Sequence, residues 1–197
     1  MQALFDGYAS QFDQHLVQTL RYDAPRVLTQ RLAQAGRRWR NALDLGCGTG
    51  LCGPFLRTMA ERVTGVDLSS NMLEKARALG AYDTLVQADA VAFLVQATES
   101  FDVVVAADVF IYVGALDDVF RELAARMPAG GSFCFTVEES AGPELELRAS
   151  LRYAHSEAGI RRLAQAHGFD VTAMEHRPVR EDQRVPIPAL FFWLEKT

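Results

Sequence analysis

The sequence predicts an α/β fold with a seven-stranded, mostly parallel sheet, helices on both faces and an N-terminal helical cap. From residue 42 onward, short apolar segments alternate with segments of helical period, as happens when covering helices join parallel strands. A loop with three glycines follows the first apolar segment, and an acidic residue ends the second. Such residues mark a ligand site at the carboxyl edge of a parallel sheet.

The predicted strands are short and rich in Val, Leu and Phe, which is typical of strands buried on both faces. They comprise residues 42–45, 63–67, 84–88, 101–106, 132–138, 169–175 and 189–195. We expect the first five to be parallel. If residues 190–194 lay at a sheet edge, their apolar side chains would favour a homodimer.

The clearest predicted helix spans residues 115–127, where apolar side chains recur every three or four positions. A second helix, over residues 71–79, has Ser70 as its expected N-cap and Gly80 beyond its end. A last helix begins near Ser156. These helices alternate with strands, as covering helices of a sheet should.

We expect one domain over residues 1–197, because no repeat or low-complexity linker divides the sequence. Residues 1–40 would form the helical cap and residues 41–139 the ligand-binding core. Residues 140–197 would supply a substrate-side insert, the last helix and the final strand pair.

The composition predicts a globular chain with neither a membrane span nor a nucleic-acid partner. Hydrophobic residues make up 49% and charged residues 23%, which fits neither a disordered nor a fibrous protein. The longest apolar runs, 103–107 and 189–194, are far shorter than the roughly 20 residues of a membrane helix. With 20 Lys and Arg against 25 Asp and Glu, the net charge is −5, which disfavours binding to a phosphate backbone.

Three cysteines are present, Cys47, Cys52 and Cys134. Their odd number and the lack of paired C-x-x-C spacing predict free thiols, not disulfides or metal ligands. Residues 1–20 lack the basic and apolar blocks of a signal peptide. We therefore expect a cytoplasmic protein without a metal site.

A glycine-rich loop follows the first predicted strand. Residues 43–50 read LDLGCGTG, so Gly46, Gly48 and Gly50 stand at alternate positions. Glycine lets the backbone turn sharply and approach a ligand closely. A carboxylate just before the loop, Asp44, disfavours a pyrophosphate and could pair with an ammonium group.

A dinucleotide site is the alternative interpretation of this loop, since residues 48–53 formally match G-x-G-x-x-G. If Gly46 closes the strand, however, Leu51 occupies the position of the third glycine. Asp67 ends the next strand, 21 residues after Gly46, where an acid binds ribose hydroxyls in nucleoside-binding α/β folds. The loop and Asp67 together predict a nucleoside ligand more specifically than either does alone.

Five segments together resemble class I S-adenosylmethionine-dependent methyltransferases. They are residues 43–50, 65–69 (GVDLS), 72–76 (MLEKA), 87–90 (QADA) and 101–108 (FDVVVAAD). Segments within residues 12–25, 111–114 and 152–156 further resemble a bacterial branch that carries tetratricopeptide repeats, although this sequence contains no such repeats. The resemblance implies a Rossmann-like fold and methyl transfer by in-line displacement, with S-adenosylhomocysteine as the product.

The resemblance also implies which residues hold the methionine and ribose parts of the cofactor. The three loop glycines and Cys47 would pass close to these parts. Asp44 would hold the amino group, directly or through water, and Asp67 would accept from both ribose hydroxyls. The carbonyl of Ala106 or Ala107 would face the ammonium group.

On the adenine side, the resemblance implies that Leu68 and Met72 lie against the ring. Asp89 would accept from the adenine amino group, while the backbone N–H of Ala90 would donate to the ring. An ordinary loop carboxylate without a ligand is the alternative for Asp89.

The acceptor side carries less specific signals. If the acceptor is a hydroxyl or a thiol, a base must remove its proton, and His155, Tyr112 and Glu138 are the candidates. Helix capping is the alternative role of His155. Tyr8 and Phe12, on the N-terminal helix, would close over the site or simply pack in the core. We expect a small-molecule acceptor, although no motif identifies it.

Three other functions stay open. A non-methylating reaction such as hydroxylation could use the same fold, because function belongs to the site and not to the fold. A cofactor-binding regulatory module would keep the loop without catalysis. A dehydrogenase would bind NADH in place of S-adenosylhomocysteine, which a titration distinguishes.

Overall fold

A computed structural model describes residues 22–182 and 185–197 of the chain. The predicted helix that carries Tyr8 and Phe12 lies outside the described residues. In the described part, no helix is both long and apolar enough to cross a membrane.

The described helices and strands alternate as predicted. The helices are α1 (Ala24–Gln34), α2 (Gly53–Met59), α3 (Ser70–Ala78), α4 (Ala90–Gln96), α5 (Asp117–Arg126) and α6 (Glu157–Ala166). The strands are β1 (Trp39–Leu45), β2 (Ala60–Asp67), β3 (Thr84–Gln87), β4 (Val103–Ala106), β5 (Ser132–Glu139), β6 (Leu145–Leu147), β7 (Tyr153–His155), β8 (Phe169–Asp182) and β9 (Val185–Lys196).

The main sheet has the order β3-β2-β1-β4-β5-β9-β8. Strands β1 to β5 are parallel, and β9 runs antiparallel between β5 and β8. The strand order reverses between β1 and β4, because the chain moves outward to β2 and β3 before it returns. Ligands of open α/β sheets bind at the carboxyl ends of the strands beside such a reversal.

Each face of the sheet is covered by its own hydrophobic core. In β5, Phe133 and Phe135 pack into the core that contains α4, α5 and α6, whereas Cys134 packs into the core that contains α1 and α2. Because both faces are buried, an apolar side chain is favoured at successive positions, which explains the unbroken apolar runs in the sequence.

Three of the described helices, α3, α4 and α6, begin at a short polar side chain that caps them. The Oγ of Ser69, not of the predicted Ser70, accepts from the backbone N of Met72 at the start of α3. The Oγ of Ser156 accepts from the N of Gly159 at the start of α6. The N-cap of α6 is therefore Ser156 and not His155, so His155 does not have the alternative role of a helix cap.

The sheet contains nine strands, two more than predicted. The additional strands, β6 and β7, form an antiparallel hairpin inside the predicted insert. The condition set for residues 190–194 is not met, because they pair with β5 on one side and with β8 on the other. They do not form a sheet edge, so this reason for expecting a homodimer no longer holds.

Candidate cofactor and acceptor site

The glycine loop leaves β1 at the strand-order reversal and adopts a conformation that requires glycine. Gly46, Gly48 and Gly50 have φ values of +71°, +54° and +93°, a region that side chains disfavour. A Cβ atom on Gly46 would lie 2.9 Å from Cγ1 of Val109 and closer still to Cγ2. A Cβ on Gly48 would meet no atom within 4 Å, so this part of the loop has room for the close approach of a ligand.

Asp67 ties the end of β2 to the glycine loop. Its Oδ2 accepts from the backbone N of Gly48 at 2.8 Å, and its Oδ1 accepts from the N of Ser69 at 2.9 Å. The side chain is only partly buried. The structure thus brings together the two features from which the sequence predicts a nucleoside site, and their arrangement fits the cofactor of the resembling family.

The predicted adenine-side residues differ in accessibility. Leu68 is partly exposed, whereas Met72 is buried beneath the start of α3. Asp89 is exposed and caps α4, since its Oδ1 accepts from the backbone N atoms of Val91 and Ala92, both at 3.0 Å. Asp89 is therefore a helix N-cap, which the sequence did not predict, and the cap engages only one of its two carboxylate oxygens. Ala90, which begins α4, is partly exposed.

Asp44 is buried beneath the glycine loop. The hydroxyl of Tyr82 donates to Oδ2 of Asp44 at 2.6 Å, and the thiol of Cys52 also forms a hydrogen bond with this carboxyl group. Burial raises the pKa of Asp44 to about 7, although the hydrogen bond from Tyr82 opposes the shift. The carboxyl therefore changes charge near neutral pH, next to the expected position of the cofactor amino group.

Tyr82 is a site residue that the sequence analysis missed. Cβ atoms added to Gly50, Gly53 and Gly65 would lie 3.0, 2.6 and 2.9 Å from its ring. Gly50 and Gly53 lie within residues 48–53, whereas Gly65 lies in β2, so no single local motif reveals that all three make room for one ring. Their convergence explains why glycine occupies positions beyond the loop itself.

The carboxyl end of β4 begins the acceptor side of the site. Ala106 is buried and Ala107 partly exposed. Asp108 follows with a φ of +58°, and its backbone N donates to Oγ1 of Thr136 at 2.8 Å. This bond joins the end of β4 to β5.

An ionic cluster lies at this edge, and its central residue, Arg180, was not predicted. Nη1 of Arg180 donates to both carboxylate oxygens of Asp108 at 2.8 and 2.7 Å, and Nη2 donates to Oε1 of Glu138. Arg148 approaches Oε2 of Glu138 at 3.1 Å, and Arg152 approaches Oε1 at 3.9 Å. Arg180 and Glu138 are each 3% exposed, so these charges are neutralised in the interior.

The three candidate bases have different surroundings. Burial raises the pKa of Tyr112, so its phenol stays protonated at neutral pH. Glu138 is held by guanidinium groups. Nε2 of His155 lies 2.8 Å from the carbonyl oxygen of Gly114, and its Nδ1 is buried with no hydrogen-bond partner in the described structure. Burial lowers the pKa of His155, so its imidazole is neutral at pH 7.

Comparisons with known proteins identify the family. A family model described as "Methyltransferase domain" matches residues 43–135, which include the glycine loop, Asp67 and the end of β4. The malonyl-[acyl-carrier protein] O-methyltransferase of Enterobacter lignolyticus is 34% identical over 134 residues, covering 68% of this chain and 51% of that protein. The chain belongs to the class I S-adenosylmethionine-dependent methyltransferases. The sequence prediction of this family is confirmed.

Two further methyltransferases support the fold and mark the extent of the likeness. The trans-aconitate 2-methyltransferase of Rhizobium etli is 31% identical over 132 residues, covering 62% of this chain and 51% of that protein. The solved structure of the N-methyltransferase NodS from Bradyrhizobium japonicum, in complex with S-adenosylhomocysteine, matches with a TM-score of 0.76 at 16% identity, over 99% of this chain and 97% of that one. The chain spans about half the length of the curated methyltransferases it matches, at 51%.

Proposed function

We propose that the chain binds S-adenosylmethionine and transfers its methyl group to a small-molecule acceptor. The observation that carries this proposal is the glycine loop at positive φ, tied by Asp67 to the end of β2 at the strand-order reversal. The names of the relatives support the reaction class, since both are methyltransferases. The name trans-aconitate 2-methyltransferase also supports a small acceptor.

When bound, the cofactor supplies an electrophilic methyl group on a positively charged sulfur, which is already a good leaving group. The protein must therefore align the acceptor and exclude water more than it must supply acid or base catalysis. The loop glycines and Asp67 would fix the nucleoside end, and the segment from Ala106 to Asp108 would border the acceptor. Tyr8 and Phe12 stay candidates for the cover of the site.

Proton removal is needed only when the acceptor carries a proton. Tyr112 stays protonated, and Glu138 is already paired with three arginines. Neither is suited to accept a proton at neutral pH. Of the three candidates, His155 alone offers a neutral nitrogen, so we propose it as the base for any protonated acceptor.

The proposed location is the cytoplasm, as expected from the sequence. Cys47, Cys52 and Cys134 are free and buried, which is consistent with a reducing compartment. We further propose that the whole of residues 1–197 acts as one domain, with residues 1–40 as a cap.

Isothermal calorimetry with S-adenosylhomocysteine tests the cofactor assignment without a known acceptor. We expect binding in the micromolar range by the wild type and a loss of at least about tenfold in Asp67→Ala, which removes the ribose-side carboxylate. The control is Asp118→Ala, which removes an exposed carboxylate on α5 and should bind as the wild type does.

A parallel titration with NADH distinguishes the dehydrogenase alternative. No binding of S-adenosylhomocysteine by folded wild type would contradict the proposal, as would binding of NADH in its place. Equal affinity in Asp67→Ala and the wild type would show that the cofactor does not use this carboxylate.

A further inference from the structure

The ionic cluster occupies the place where an acceptor would meet the cofactor site. One edge of β5 pairs with β4 along residues 132–135 and, farther on, with β7 at Glu138 and Glu139. Strand β7 thus takes the place beside β5 that β4 leaves when it ends at Ala106. The β6–β7 hairpin brings Arg148 and Arg152 to the carboxyl edge, next to Asp108.

The ion-paired guanidinium groups and carboxylates of this cluster are unequal in number. Arg148, Arg152 and Arg180 contribute three positive charges, whereas the carboxylates within 4 Å of them, Asp108 and Glu138, contribute two negative charges. Glu146 projects from the same face of the hairpin, because it is paired in register with Ala154 and thereby with Glu138. Glu146 makes no ion pair within the described residues, so the ion-paired groups comprise three guanidinium groups and two carboxylates.

The guanidinium groups of this cluster that a ligand can reach are those of the two hairpin arginines. Arg180 is 3% exposed and is committed to both carboxylates. By contrast, the side chains of Arg148 and Arg152 are 28% and 30% exposed. Arg152 has the longest ion pair of the three, because its nearest carboxylate oxygen is 3.9 Å away, and its guanidinium also forms a hydrogen bond with the side chain of Tyr112. A guanidinium group at this distance can still form a full charge-assisted hydrogen bond with a ligand.

We propose that the methyl acceptor carries a carboxylate, which Arg152 binds with the help of Arg148. This inference rests on the proposed function and specifies the substrate class of that site. A ligand carboxylate would give these three guanidinium groups a third carboxylate partner, and its two oxygens match the planar fork of a guanidinium group. A phosphate group, which carries up to about two negative charges near pH 7, would place more negative charge beside Glu138 than a carboxylate does.

A carboxylate acceptor also agrees with the surroundings of the candidate bases. It is deprotonated at neutral pH, so methyl transfer to one of its oxygens would require no base. One oxygen lone pair would form the bond to the methyl carbon, and the electrons of the broken carbon–sulfur bond would remain on sulfur. Transfer to another atom of the same molecule would use the carboxylate as an anchor only.

Thermal unfolding of the protein saturated with S-adenosylhomocysteine tests the proposal. The probes are acetate, malonate, succinate, benzoate and trans-aconitate at millimolar concentration and constant ionic strength, with malonamide and succinamide as neutral matches and inorganic phosphate as the other anion. We expect at least one carboxylate to raise Tm by a few degrees, because a ligand that binds only the folded protein stabilises it. The amides and phosphate should not raise it.

Three variants locate the binding. Arg152→Gln should reduce the affinity for the effective carboxylate at least about tenfold, and Arg152→Lys should retain part of it. Arg121→Gln, which removes an exposed guanidinium on α5, should behave as the wild type does. Unchanged affinity for S-adenosylhomocysteine in Arg152→Gln would show that this variant is folded.

The possible failures are distinguishable. If the folded wild type does not bind S-adenosylhomocysteine, the proposed function is rejected. If that binding is intact, three results would each reject the carboxylate proposal: no shift with any carboxylate, an equal shift with the amides or phosphate, and an equal shift in Arg152→Gln.

Discussion

The hydroxyl of Tyr82 lies 2.6 Å from Oδ2 of Asp44, beneath the loop that is expected to hold the cofactor. Asp44 is 1% exposed, and its burial raises its pKa from 3.8 to about 7. The folded protein therefore holds this proton more tightly than the unfolded chain does. The first two predictions follow from this hydrogen-bonded pair.

Asp44 should make the folded protein less stable as the pH rises. Since its folded pKa lies above its unfolded pKa, its contribution to stability is complete below about pH 4 and is lost by about pH 7. The expected slope is at most about 1.4 kcal/mol per pH unit. Urea unfolding at several pH values should show that Asp44→Asn removes this part of the slope.

Asp83 provides the control, since its hydrogen bond with the backbone N of Val63 lowers its pKa. Its contribution has the opposite sign, because it is lost as the pH falls through the lowered folded pKa. Asp83→Asn should therefore leave the slope between about pH 4 and pH 7 unchanged. An unaltered slope in Asp44→Asn would show that Asp44 titrates at its ordinary pKa.

Tyr82→Phe should destabilise the protein more at high pH than at low pH. The variant removes the donor to Asp44, which costs about 1–3 kcal/mol when the buried acceptor is ionised. At about pH 5, Asp44 is protonated and the loss is smaller. Urea unfolding of Tyr82→Phe at about pH 5 and pH 8 measures the difference, and the Asp44→Asn background should abolish it. A loss independent of pH would indicate that Tyr82 contributes through packing alone.

The strands of the main sheet could be predicted because burial on both faces imposes a simple pattern. In β5, both Phe133 and Cys134 must be apolar, since each faces a hydrophobic core. The site features at the ends of β1 and β2 were predictable for a related reason. Successive parallel strands end at one edge, so Gly46 and Asp67 had to lie near each other.

The β6–β7 hairpin was not predictable in the same way. Its strands contain three residues each, and its turn places Leu151 at a φ of +59°. Glycine or asparagine is usual in that conformation, so the sequence carries no turn signal. The positions of Arg148 and Arg152 could not be inferred without the hairpin.

Arg180 was missed because β8 extends beyond its predicted end at residue 175. Pro178 indicates a strand end by sequence, yet β8 continues to Asp182. The register shifts between Pro178 and Arg180, and such irregularities accommodate proline within a strand. This extension places Arg180 against Asp108, 72 positions away in the sequence.

Gly46→Ala should destabilise the protein more than Gly80→Ala. Both glycines have positive φ, +71° and +65°, so each substitution incurs a conformational cost of about 1–2 kcal/mol. At Gly46 the new Cβ would also collide with Val109, whereas a Cβ at Gly80 would meet no atom within 4 Å. Urea unfolding compares the two variants. The double variant Gly46→Ala/Val109→Ala should recover the additional loss, and no recovery would exclude the collision as its cause.

Arg180→Met should cost about 3–5 kcal/mol, because it leaves the carboxylates of Asp108 and Glu138 without their buried partner. Burial already raises the pKa of Asp108, and loss of the opposing charge of Arg180 should raise it further. Protonation of Asp108 would then relieve the variant, so its deficit should shrink as the pH falls. Urea unfolding at about pH 5 and pH 8 measures this change. Arg121→Met, at an exposed ion pair, should lose much less stability at both pH values.

His155 should position the hairpin without accepting a proton from a carboxylate acceptor. Its Nε2 donates to the carbonyl oxygen of Gly114 at 2.8 Å, which holds β7 against the segment after β4. His155→Gln retains an N–H donor but has no basic nitrogen. We expect it to preserve both stability and kcat with any carboxylate that accepts the methyl group. His155→Ala should cost about 1 kcal/mol or more, because the partly buried carbonyl of Gly114 would lose its donor.

The pH profile of kcat distinguishes a positioning role of His155 from general base catalysis. A base at His155 would give a limb controlled by its pKa, which burial lowers, and His155→Gln would abolish that limb together with most of the rate. A positioning role gives the same profile in the wild type and in His155→Gln. Because Arg152 lies three residues away on the same hairpin, His155→Ala should also weaken carboxylate binding. Unchanged carboxylate affinity in His155→Ala would show that the Gly114 hydrogen bond does not position Arg152.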